Sequence, residues 1–180
     1  MTRALLDACV LYPAVMREVL ISAAKRGLYR PLWSARLLEE WARAAAKRGA
    51  AEEAIARGDV ALLRADFPAA EAPPAPGIEQ RLWLPDPADV HVLAVAIASG
   101  ADLLVTMNAK DFPRHTLREE GLDRIDPDAF LMDLWLKDAA GMEAAVADVV
   151  GRAARMDDAP RDARTLLKKA RLPRLAKAIG

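Results

Sequence analysis

The chain has 180 residues, enough to bury one full hydrophobic core. Its 53% apolar and 29% charged residues exclude a disordered chain, and no apolar run approaches the roughly 20 residues of a membrane-spanning helix. The 26 basic and 26 acidic residues cancel, but from Pro160 to Gly180 seven Lys/Arg face Asp162 alone, so that tail is +6 and residues 1–159 are −6.

An acidic body does not fit a general nucleic-acid binder. The basic tail is either a solvated helix face or a contact for phosphates or an acidic partner. The lone Cys9 excludes an internal disulfide, and the chain has no Cys/His zinc spacing. Cys9 reads as a small core residue, and a reducing cytoplasm is the simplest setting. The first apolar run starts by residue 4 with no signal-peptide pattern, which again points to the cytoplasm.

Residues 3–6 read as a buried strand that ends at Asp7. After the Tyr12-Pro13 break, residues 13–26 read as a helix, with Gly27 suited to its C-terminal cap. Residues 28–33 form a plausible second strand. Ser34 is a good N-cap for a helix that runs to about Arg48. Its apolar face is Leu37, Leu38, Trp41, Ala44 and Ala45, which puts Glu40 at the edge and Glu39 on the far side. Trp33 and Trp41 read as core residues rather than base-stacking platforms.

Residues 51–66 suggest another helix, and Pro68–Gly77, with four prolines, a surface loop. A third strand is expected within Ile78–Leu84. Asp86 is then placed as N-cap, Pro87 as N1 and Asp89 as N3 of a helix that Gly100 ends. That helix is apolar on nearly every side, so deep burial is expected. His91 falls on its less apolar side, and His115 falls in a loop. Neither has a zinc partner, and both read as polar surface or supporting residues. A fourth strand is expected at 102–106 and a fifth at 122–125. Helices follow at 127–140 and 142–156. The segment 160–180 sets Leu166, Leu167, Leu172, Leu175 and Ile179 against its basic residues, and Pro173 must kink or divide it. This alternation predicts a parallel α/β core with a helical C-terminal extension.

In open parallel sheets, ligands gather at the carboxyl ends of the strands. Asp7 lies at one such end, and Thr106, Asn108 and Asp111 follow another. With Glu40, Asp86 and Asp89 they form a candidate constellation. Each has an ordinary explanation: Asp7 as a strand end, Glu40 as a solvated helix charge, Asp86 and Asp89 as helix N-terminal residues, and Asn108 and Asp111 as turn residues. Together they are a set of oxygen donors for Mg²⁺ or Mn²⁺, ions that promote phosphodiester hydrolysis by lowering the pKa of the attacking water.

The chain resembles the PIN-domain nucleases, in particular the bacterial VapC-like toxin group. The matching stretches are Leu5-Leu6-Asp7-Ala8-Cys9-Val10-Leu11, the run from Trp33 to Trp41, Leu84-Pro85-Asp86-Pro87-Ala88-Asp89-Val90-His91-Val92-Leu93-Ala94-Val95-Ala96, and the run from Ala101 to Pro113. The resemblance covers roughly residues 1–130. It implies a three-layer α/β/α fold with a mostly parallel central sheet. Residues 1–130 would be the nuclease domain and 131–180 the helical extension with the basic tail.

The resemblance also implies a Mg²⁺- or Mn²⁺-dependent endoribonuclease, the toxin of a VapBC-type toxin–antitoxin pair. Asp7, Glu40 and Asp89 fall on the first three family acids. The fourth position, usually Asp, is Asn108 here, a neutral ligand. Asp111 would supply the missing charge, and Thr106 would orient a ligand, a water or the substrate phosphate. The departure at Asn108 leaves open whether one metal or two is held. The implied partners are RNA, a small antitoxin that blocks the acidic pocket, and a second copy in a homodimer, with no membrane association. The alternative is a non-catalytic PIN-like module that binds RNA or protein through its basic tail.

Overall fold

The computed structural model describes residues 1–156 and 162–180. Pro160 and Arg161 of the basic tail lie outside the described residues. The chain forms two compact units, one of Thr2–Tyr12 and Pro31–Ile125, the other of Met1, Pro13–Arg30 and Asp126–Gly180.

The first unit is built on a five-stranded sheet. Strand β1 (Arg3–Leu6) is buried from Ala4 to Leu6, as a central strand covered on both faces must be. The others are β2 (Arg30–Ser34), β3 (Glu71–Ala72), β4 (Leu103–Val105) and β5 (Asp123–Ile125), in the spatial order β3-β2-β1-β4-β5. The pairs β1–β4, β2–β3 and β4–β5 are parallel. The chain leaves β1 toward one edge and returns to β4 on its other side. That reversal is a topological switch point, and it lies between the carboxyl ends of β1 and β4. There Leu6 is in register with Val105, and the Asp7 N–H donates to Val105 O at 3.1 Å.

The helices of this unit are α1 (Ala8–Leu11), α3 (Ala35–Ala46), α4 (Ala50–Asp66), α5 (Pro76–Glu79), α6 (Val90–Ala98) and α7 (Arg114–Glu119); α2 (Ala14–Lys25) belongs to the other unit. Ser34 caps α3, its Oγ accepting the Leu37 N–H at 3.2 Å. Asp86 caps a 3-10 turn, Pro87–Asp89, that leads into α6, and Gly100, at φ +65°, follows its end. The core joins Leu5, Leu32, Leu37 and Leu104 to Val92, Leu93, Val95 and Ala96 of α6. Trp33 and Trp41 are buried as expected.

Three details differ from the sequence pattern. The third strand is not in Ile78–Leu84 but at Glu71–Ala72, inside the proline-rich segment expected to be a loop. Only Ala69 to Ala72 lie between Pro68 and Pro73, which is room for a short edge strand whose flanking prolines blunt further pairing. Ile78 and Leu82, four residues apart, instead follow the helical turn that Pro76 starts, with Leu82 packed on the core. His115 stands on α7 rather than in a loop, because Pro113 fixes the entry to a short helix.

The second unit is helical: α2, α8 (Pro127–Lys137), α9 (Ala139–Met156), α10 (Ala163–Lys169) and α11 (Pro173–Ile179). The break between α8 and α9 falls at Asp138, whose carboxylate accepts the Gly141 N–H at 2.9 Å. Tyr29 meets Phe130 edge to face, centroids 4.9 Å apart, and donates its hydroxyl to Leu20 O. Pro173 divides the final segment by starting α11 at its first position. Leu166, Leu167, Leu172 and Leu175 are buried, while Arg164, Lys168, Lys169, Arg171, Arg174 and Lys177 are exposed. Among the described residues no helix is long and apolar enough to cross a membrane.

The buried carboxylate of Asp128 on α8 holds the start of α11, accepting the N–H groups of Arg174 at 2.9 Å and Leu175 at 3.1 Å. Asp128→Ala would leave both amides without their acceptor and should cost about 2 kcal/mol. Urea unfolding measures that loss, and amide exchange should quicken at Leu175. An unchanged midpoint would show that α11 docks through its leucines alone.

Candidate active site

Asp7 is the fixed point of the site. It ends β1, is 7% exposed, and caps α1 by accepting the Ala8 N–H at 2.8 Å on Oδ1. Its Oδ2 accepts the Thr106 hydroxyl at 2.8 Å. The Thr106 oxygen in turn accepts the Asn108 N–H at 3.0 Å. Burial pushes the Asp7 carboxyl above its ordinary value, bonds from Thr106, Ala8 and Cys9 pull it back, and the Glu40 charge adds to the rise.

Asn108 ties the next two acids together. Its Nδ2 donates to Asp111 Oδ2 at 2.6 Å and reaches Asp89 Oδ2 at 3.4 Å. The amide thus presents its donor side to the two carboxylates, and its oxygen would face them only after the amide turned over. Asp86, Asp89 and Asp111 each offer an oxygen, and the three lie within 4.8 Å of one another. An all-oxygen carboxylate set fits a hard divalent cation such as Mg²⁺ or Mn²⁺. Asp89 is pushed up to about 6, first by burial and then by the charges of Asp7, Asp86, Asp111 and Glu40. The charges of Asp7 and Glu40 thus reach Asp89, but neither residue joins the trio whose oxygens lie within 4.8 Å of one another.

The two glutamates of α3 part company. Glu39 pairs with Arg57 at 2.9 Å and Arg43 at 3.2 Å, and these guanidiniums hold it down to about 2. Glu40 turns to α6, where its Oε1 lies 2.8 Å from His91 Nε2.

Two residues near the site, Cys9 and His91, stand outside the constellation that the sequence pattern offers. Asp86, read from the sequence both as a helix cap and as a member of the constellation, is both: its Oδ1 accepts the Ala88 N–H, and the residue belongs to the carboxylate trio. The Asp-Pro-Ala-Asp spacing carried that signal. Cys9 is half-buried rather than core, with Sγ 3.5 Å from both Asp7 Oδ2 and Thr106 Oγ1. Burial and the Asp7 charge push its thiol up to about 11, so it is a neutral group at pH 7. His91 is 4% exposed rather than at the surface.

A parallel five-stranded sheet with flanking helices and a trio of carboxylates that could hold a cation defines an α/β protein with a candidate metal site. A family model of the PIN domain matches residues 3–110, more than half of the chain, and the chain belongs to the PIN-domain family. PIN domains are typically metal-dependent nucleases. No curated protein and no solved structure matches the chain.

The raised Asp89 carboxyl sets a pH dependence. Its ordinary value is 3.8 and its folded value about 6, so between them the folded chain keeps a proton that the unfolded chain has lost. Stability from this group is fully present below 3.8 and is lost as pH rises through about 6. Without metal, the melting temperature of Asp89→Asn should therefore fall less than that of the parent across this range. Identical pH profiles for the two proteins would refute the coupling.

Proposed function

We propose that the protein is a divalent-metal-dependent endoribonuclease of the VapC-like toxin group. The observation that carries this reading is the carboxylate trio of Asp86, Asp89 and Asp111, with the charges of Asp7 and Glu40 also acting on Asp89. Asp7, Glu40 and Asp89 would be the central metal ligands, with Asp111 and Asn108 completing the set and Asp86 added to it by its proximity. A bound Mg²⁺ or Mn²⁺ supplies the positive charge that activates water and offsets charge on the leaving oxygen.

The chain's own part is to hold the donors. Thr106 fixes one oxygen of Asp7, and the Ala8 N–H fixes the other. Asn108 spaces Asp89 from Asp111. RNA would be the substrate. The resemblance to the toxin group supports an antitoxin that covers the acidic site and a homodimeric form.

One observation favours the non-catalytic alternative: the Asn108 amide already bridges Asp89 and Asp111 without an ion. Calorimetric titration with Mn²⁺ decides between them, since a chain that binds no Mn²⁺ is not this nuclease. Cleavage of a single-stranded RNA that depends on Mn²⁺ and is lost in Asp7→Asn would establish the activity.

An ion at about 100 times its Kd should raise the melting temperature by about 5–10 °C. Asp7→Asn should remove most of that rise and Glu39→Gln should keep it. Equal losses in the two variants would refute the assignment.

The exposed basic side of the tail would steer RNA toward an acidic body, an effect that weakens with salt. Replacing Lys168, Lys169 and Arg171 by Gln should weaken RNA binding and flatten its salt dependence without loss of fold. Unchanged affinity and slope would leave the tail a structural role or a protein partner.

A further inference from the structure

His91 is buried, and neither ring nitrogen has an aligned hydrogen-bond partner. Nε2 nevertheless stands 2.8 Å from Glu40 Oε1, off the line of a proper bond. A neutral imidazole always carries one N–H, and a buried N–H without an acceptor is costly. Glu40 is the acceptor within reach, and its side chain is 40% exposed, so it has room to turn. A small rotation of its carboxylate would complete the bond.

Glu40 needs such a partner more than the other acids do. Asp7 is pinned by Thr106 and Ala8, and Asp89 and Asp111 by Asn108. Glu40 stands on a long side chain beside Arg36, one turn earlier on α3, whose Nε lies 3.8 Å from the same Oε1. Arg36 is well exposed and draws the carboxylate toward solvent. His91 pulls the other way, from the start of α6, two residues after Asp89. Both contacts fall on Oε1, and Oε2 takes part in neither.

We propose that His91 is a positioning residue that donates from Nε2 to Glu40 Oε1 and so directs Glu40 Oε2 into the acidic cluster as a ligand for a hard divalent cation. The proposal rests on the nuclease reading above. Hydrogen bonds to ligating groups of this kind are typically worth ten- to a hundredfold in metal affinity (about).

The test is Mn²⁺ calorimetry on the full chain, with folding checked by circular dichroism. His91→Leu should weaken Mn²⁺ binding about tenfold, and His91→Gln, which keeps an N–H donor, should recover part of the loss. In a Glu40→Gln background His91→Leu should cost little more. Full affinity in His91→Leu, or an equal loss in both backgrounds, overturns the proposal while leaving the nuclease reading intact. No Mn²⁺ binding by the parent chain overturns both.

A second measurement needs no change at His91. In a chain carrying His115→Gln, the remaining imidazole Nε2 resonance should shift when Mg²⁺ is added, and the shift should vanish with Glu40→Gln. A resonance that ignores Mg²⁺, or a shift that survives Glu40→Gln, overturns the proposal.

Discussion

The site depends on the parallel pairing of β1 with β4. Once Leu6 is registered with Val105, the residues that follow each strand emerge side by side. Asp7 and Thr106 then sit one hydrogen bond apart although ninety-nine positions separate them in sequence. Asn108 is hung from Thr106 by its own N–H, and through its side chain it reaches Asp89 and Asp111. A slip of one residue would turn every side chain of β1 to the opposite face and dissolve the chain of contacts. The apolar burial of Ala4, Leu5 and Leu6 is what forbids that slip.

Gathering carboxylates works against folding, and the protein offsets the repulsion with neutral donors. The Thr106 hydroxyl, the Asn108 amide and the Ala8 N–H each meet a carboxylate oxygen. Two of the guanidiniums, Arg57 and Arg43, pair with Glu39 rather than with the cluster, and Arg36 meets Glu40 at Oε1. A guanidinium inside the cluster would lower the carboxyl pKa values and relieve the repulsion, but it would also occupy the oxygens that an ion needs. The raised carboxyl of Asp89 reflects its burial first and then the repulsion that the neutral donors only partly offset.

Much of this was legible in the sequence because the governing signals are local. Short apolar runs closed by Asp7 and Thr106 mark β1 and β4, and Ser34, Asp86 and Gly100 mark helix ends by the chemistry of caps. The helical period separated Glu40 from Glu39. The sequence was silent where the signal depends on a partner far along the chain. β3 is two residues between prolines, and only its pairing with Trp33 and Ser34 makes it a strand. Cys9 looks like any small core residue until β4 brings Thr106 beside it. His91 falls on the less apolar side of a helix that is apolar nearly all round, and that weak contrast did not show its burial. Asp86 posed a false choice, since one oxygen can cap a helix while the other belongs to a site.

Asp128 has a consequence of a different kind. It grips the last helix by two main-chain amides and by no side chain of α11. Such a clasp is blind to amino-acid identity at Arg174 and Leu175, provided neither becomes proline. The exposed face of that helix is accordingly free to drift in charge from one descendant of the chain to the next while its anchor stays in place. Whatever the tail meets, the fold lets that preference change faster than the scaffold that carries it.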